Sequence, residues 1–225
     1  FEVKYFELSD TDVTLDTEDL LMILSPQRDF MDTELKALTD FASAGGNIFF
    51  TCDYSDPVDN MPNYQALLRS YGFQPRTGIV VASTEEPNTY YEGYPVLLLP
   101  YMQNSAATMD LVSEKSDTLL LAGARAFETP EEGDNNLTTQ VVLTSGYKAY
   151  LRDLSDGSSD ITQQDADPIG PFALALLSQR VTDAGNVSKA FVLGCSTVLT
   201  DSQVYVMTDA QEFILTMSTY LSGEK

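Results

Sequence analysis

The chain has 225 residues, 43% of them apolar, which is enough to bury a substantial core. Twelve Lys and Arg against 34 Asp and Glu leave a net charge of -22. That argues against nucleic acid, whose phosphates are bound by cations, and against docking on anionic lipid. Histidine is absent, so this chain holds no Ser-His-Asp triad, no Cys-His dyad and no His-ligated metal. Two cysteines are too few for a four-cysteine zinc site.

The opening Phe1-Glu2-Val3-Lys4-Tyr5 carries neither an initiator Met nor a signal-peptide pattern, and reads as part of something longer. Leu20 to Leu24 is a continuous apolar run ended by Ser25-Pro26, as expected of a strand buried on both faces. Met31, Leu35, Leu38 and Phe41 then recur at helical spacing, with Asp29 or Asp32 as N-cap and Gly45-Gly46 as C-cap. Gly45-Gly46 follows a helix and precedes a strand, the reverse of a phosphate-binding loop. Asn47 to Cys52 is a second buried strand, and a crossover through the helix predicts that it runs parallel to the first.

A second helix is predicted from about Asn63 to Tyr71, stopped by Gly72, and a third strand from Thr77 to Ala82. The stretch from about 83 to 154 holds no convincing helix. Pro95 to Pro100, Leu119 to Ala122 and Gln140 to Thr144 make it a β-rich insertion. Asp153 to Asp167 reads as a polar, mobile loop. Pro171 to Val181 and Ala190 to Cys195 are further strands, and a last helix begins at Thr208 or Asp209. No window approaches 18 consecutive apolar residues. The expectation is a single α/β domain over 1–225, with a mostly parallel, flavodoxin-like sheet and helices on both faces.

Several groups could carry chemistry. Cys52 and Cys195 each end a predicted strand. They are small buried hydrophobes, a disulfide pair, or nucleophiles that lack a base. Asp53, Asp56 and Asp59 recur every third residue, but a calcium loop needs tighter alternation and a closing Glu; Asp153, Asp156 and Asp160 fail in the same way. No metal and no cofactor is expected. Gly194-Cys195-Ser196-Thr197 follows a strand but lacks the glycines and Lys of a nucleotide loop. A carboxylate pair for glycan hydrolysis is a second possibility, and Tyr90, Tyr91 and Tyr94 as a platform for carbohydrate or peptide a third. The sequons Asn136-Leu137-Thr138 and Asn186-Val187-Ser188 bear only on a eukaryotic secretory chain.

Taken in order, these pieces resemble a family. Ser25-Pro26, Glu34 to Leu38, Phe41, Gly45-Gly46 and Asp53 are similar to the extracytoplasmic domain of GldG-like auxiliary proteins of ABC-2 type transporters. The resemblance continues through Leu67-Leu68, Tyr71-Gly72-Phe73, Tyr94-Pro95 to Pro100, Leu143-Thr144-Ser145, Gly170 to Ala175 and Tyr220 to Glu224. It implies a domain on the outer side of a bacterial cell membrane, tethered by segments outside this sequence. Its partners would be an ABC-2 permease and ATPase. It also implies an α/β core like the class I glutamine amidotransferases without their catalytic residues; Cys52 is flanked by Thr51 and Asp53, not by glycines. The resemblance carries no catalytic motif. Ligand or partner contacts are expected at the carboxyl ends of the strands: Ser25, Asp53, Tyr54, Ser196 and Thr197.

Overall fold

A computed structural model describes residues 2–8, 14–91, 93–115, 118–128, 136–200 and 209–223. Phe1, Glu224 and the Thr208 alternative for the last helix start lie outside them. Strand β1 (Leu20–Leu24), helix α1 (Asp32–Ser43) and strand β2 (Asn47–Thr51) form the expected crossover. The two strands pair in parallel, Leu21 beside Ile48 and Ile23 beside Phe50.

The start of α1 differs from expectation. Met31 is the N-cap residue and is half-exposed, outside the apolar stripe. Glu34, at the third helical position, accepts the Met31 N–H at 2.8 Å, satisfying a donor the helix leaves open. It also takes two bonds from the Arg28 guanidinium, at 3.1 and 3.0 Å, and that partner holds its carboxyl below the ordinary glutamate value. Asp29 instead serves helix α2 (Pro62–Arg69), accepting the N–H groups of Asn63 at 3.1 Å and Tyr64 at 2.9 Å. At the far end of α1, Gly45 has φ +101° and the Gly46 N–H returns to Phe41 O, the C-cap read from the sequence.

The middle of the chain is divided among three sheets. Strand β3 (Gln74–Pro75) joins the main one. Strand β4 (Ile79–Val81) does not; it pairs antiparallel with β11 (Tyr150–Arg152). Strands β5 (Tyr90–Tyr91), β6 (Tyr94–Leu98) and β8 (Leu121–Ala122) make a small antiparallel sheet. Strands β7 (Tyr101–Met102), β9 (Phe127–Glu128) and β10 (Leu137–Thr144) belong to the main sheet. A short helix, α3 (Met109–Glu114), sits in the stretch expected to hold none; its six residues are too few for a helical period to register. Residues 153–167 contain no helix or strand, and Asp153, Asp156 and Asp160 each accept the N–H two residues on.

Strands β12 (Ala173–Val181) and β13 (Val187–Leu193) and helix α4 (Asp209–Ser222) complete the chain. The main sheet runs β1-β2-β13-β12-β10-β7, with β9 beside β12 and β3 beside β9. Among the described residues only β1 with β2 and β2 with β13 are parallel; the sheet's other pairings there are antiparallel. This overturns the mostly parallel, flavodoxin-like expectation. The cause is the link between β12 and β13, which closes as a tight turn with Thr182 N–H on Asn186 O at 2.8 Å, so the strands must fold back on each other. The unbroken apolar run Phe172 to Leu177 reports burial on both faces, and such burial is open to antiparallel strands too.

Side chains alternate across β2. Ile48 and Phe50 face a core with Leu38, Tyr64, Leu68 and Phe73, from α1, α2 and the chain after it. Phe49 faces a second core with Phe191, Leu174, and Phe213 and Met217 of α4. Each phenylalanine so buried contributes about 2 kcal/mol. Three cations lie over rings: Arg76 on Phe172, Arg180 on Tyr71 and Lys189 on Tyr220.

Candidate functional site

The three parallel strands end together. Ser25 N–H bonds Thr51 O at 3.1 Å and Cys52 N–H bonds Leu193 O at 3.0 Å, which aligns residues 25, 52–56 and 194–197 along one rim. Ser25 takes a left-handed backbone, φ +43°, and its hydroxyl lies 3.2 Å from the Thr51 hydroxyl. Asp53 accepts both the N–H and the hydroxyl of Ser196, each at 2.5 Å, so one residue of β13's extension holds both carboxylate oxygens. Thr197 turns its hydroxyl to Cys195 Sγ at 3.0 Å. The Tyr54 ring covers Gly123, where a β-carbon would stand 2.8 Å from it, and the ring remains 37% exposed. All five expected residues thus sit on this rim; the direct bonds among them join Asp53 with Ser196.

Other residues build the rim and were not among those expected. Asp56 is buried; it accepts Asp53 N–H at 2.7 Å and Gln27 Nε2–H at 2.8 Å. Burial still outweighs these bonds and raises its pKa. Arg125 is only 3% exposed. Its guanidinium donates to four backbone carbonyls: Asp53 at 2.8 Å, Tyr54 at 3.0 Å, Asp56 at 2.9 Å and Arg76 at 3.0 Å. It fastens the loop after β2 to the chain around β9. Arg125 N–H also bonds Gly194 O at 2.8 Å, and a side chain at 194 would collide with the Arg125 carbonyl. One signal in the sequence points to Arg125: it is the lone charge in Leu119 to Phe127, and a buried cation must be satisfied.

The chemistry of the rim is that of a clasp. Both thiols are buried and free, and they face opposite sides of the sheet, Cys52 in one core and Cys195 in the other. That removes the disulfide alternative. Burial pushes the Cys52 thiol up to about 12 and raises Cys195, so neither is a thiolate at neutral pH. Asp59 accepts the Thr77 hydroxyl at 3.1 Å. No group of three or more Cys, Asp or Glu able to hold a metal ion occurs among the described residues. Away from the rim, Tyr91 and Tyr94 are 52% and 58% exposed, with rings 6.4 Å apart and 28° between planes. Tyr90 packs against the core instead. No described helix is long and apolar enough to cross a membrane.

No protein-family model matches the chain, and no curated protein sequence matches it. Among solved structures it is similar to one described as "mmIFT52 N-terminal domain", with 15% identity and a TM-score of 0.59 over 90% of this chain and 76% of that one. That likeness is one of fold, and it agrees with the mixed sheet and not with the flavodoxin-like expectation. A "Cytoplasmic Protein STM3548 from Salmonella typhimurium" aligns at 11% identity and a TM-score of 0.45, over 90% of this chain and 71% of that one.

Proposed function

We propose that this chain is a non-catalytic recognition domain: the extracytoplasmic part of a membrane-anchored ABC transporter accessory protein, which binds a partner protein or the transported ligand. An ABC-2 permease and its ATPase are the partners this reading names. The observation that supports a recognition role over turnover is the Asp53 carboxylate. It lies on the rim where the three parallel strands end, and both its oxygens are held by Ser196. Asp56 is buried beneath it and bonded to Gln27, so the glycan-hydrolase reading has no free acid and base pair here. The membrane context comes from the ordered motif resemblance alone. Affinity purification of the full-length protein from its own membrane tests it: recovery of a permease and an ATPase in stoichiometric amounts is expected, and recovery of neither overturns it.

The Tyr91 and Tyr94 pair favours a second reading, a carbohydrate- or peptide-binding module. Two near-parallel, exposed phenol rings offer apolar faces with polar tips, the surface that stacks on sugar rings. Screening the chain and its Tyr91→Ala/Tyr94→Ala variant on an oligosaccharide array separates the two readings. Binding lost in the variant supports the module, and no binding removes it.

A further inference from the structure

Among the described residues, strand β1 is one margin of the main sheet and pairs only with β2. We infer that this margin accepts an extended, basic segment of a partner protein as an added strand. The inference deepens the recognition reading and rests on it, naming the surface and the chemistry of what it takes.

Three observations carry it. First, no strand among the described residues covers the margin. Open edge strands are usually blunted by charge, proline or extreme shortness. Here all five residues, Leu20 to Leu24, are apolar, whereas the opposite margin is the two-residue β7. Second, its pairing groups point outward. Ser25 N–H is directed inward to Thr51, so by alternation the N–H and C=O groups of Met22 and Leu24 face the free side. The same two side chains are 37% and 47% exposed, while Leu21 and Ile23 are buried on the α1 face. An incoming strand would find backbone partners and apolar contacts together.

Third, charge selects the occupant. Exposed Asp16, Glu18 and Asp19 immediately precede β1, and none forms an ion pair among the described residues. Arg28, beyond the other end, is already held by Glu34. A second copy would bring a further net charge of -22. A segment with alternating apolar residues, and Lys or Arg at the Leu20 end, complements both the strand and its flank.

The test uses the chain with synthetic heptapeptides Lys-Lys-Val-Thr-Val-Thr-Val and its reverse, which place the charge at either end, and their glutamate counterparts. One lysine peptide is expected to bind by calorimetry, to lose affinity with added salt, and to slow amide exchange at Met22 and Leu24. The glutamate peptides are expected not to bind. Met22→Pro removes an outward donor at a position where an edge strand tolerates proline, and should weaken binding about tenfold, a loss of about one hydrogen bond. A peptide N-methylated at its pairing valines probes the same bonds without altering the protein. Failure of both lysine peptides, equal binding of the glutamate pair, protection elsewhere, or self-association through β1 overturns the inference. Undiminished binding of that lysine peptide by a folded Met22→Pro protein would overturn it too, while leaving the transporter reading standing.

Discussion

Two acidic loops of similar composition meet opposite fates. Asp53 to Asp59 follows a central strand, and its carboxylates and carbonyls are taken up by residues far along the chain: Ser196, Gln27 and Arg125. Asp153 to Asp167 follows a strand of a two-stranded sheet, and most of its carboxylates bond backbone N–H groups two or three residues away. Clustered acids acquire long-range structure where a loop emerges from a core that can bring distant donors to it. On a peripheral loop they satisfy themselves locally.

Matched substitutions sharpen that contrast. Arg125→Ala should cost about 3–5 kcal/mol, because four buried carbonyls lose their donor. Arg152→Ala breaks a 3.6 Å pair with Asp167, whose side chain is largely buried, and a bond to Asp160 O, and should cost about 1–2 kcal/mol. Urea unfolding measures both, and equal costs would break the contrast. Gly194→Ala drives a methyl into the Arg125 carbonyl and should cost about 2–3 kcal/mol. Gly157→Ala meets nothing and carries only the strain of φ +78°, about 1 kcal/mol. Asp53→Asn should lose about 1–2 kcal/mol, and Asp156→Asn less than about 0.5 kcal/mol.

The smallest effects are in pH dependence, and they have opposite signs. Burial raises the Asp56 carboxyl, so the folded state binds its proton more tightly than the unfolded chain does. Its contribution is fully present below the ordinary aspartate value and is lost as pH rises through the raised one. Asp153 is held low, chiefly by the Ser155 N–H. Its contribution is present above the ordinary value and is lost as pH falls through the lowered one. Unfolding titrations of Asp56→Asn and Asp153→Asn against the parent chain should remove these two slopes separately.

Sequence reasoning reached the β1-α1-β2 unit because a 3.6-residue apolar stripe and a closing Gly-Gly are local signals. It placed Ser25, Asp53 and Ser196 at strand ends, and the ends of β1, β2 and β13 do converge. It missed the direction of β12, since a strand covered on both faces has the same composition whichever way its neighbours run. It assigned the cap of α1 to Asp29 or Asp32, but the Asp29 carboxylate serves α2, 34 residues on, and Asp32 is already the first residue of the helix. Arg125 went unseen because its partners are backbone carbonyls, which every residue type supplies and no motif records.

The inward turn of four cations also reaches beyond the fold. Arg76, Arg180 and Lys189 lie over rings and Arg125 over carbonyls, and among the described residues none of the four forms an ion pair. The outer shell must therefore draw its counter-ions from the surrounding liquid. Dilute electrolyte should spread copies of this chain apart and concentrated electrolyte should let them crowd, a colloidal response that light scattering would register as a second virial coefficient falling with salt.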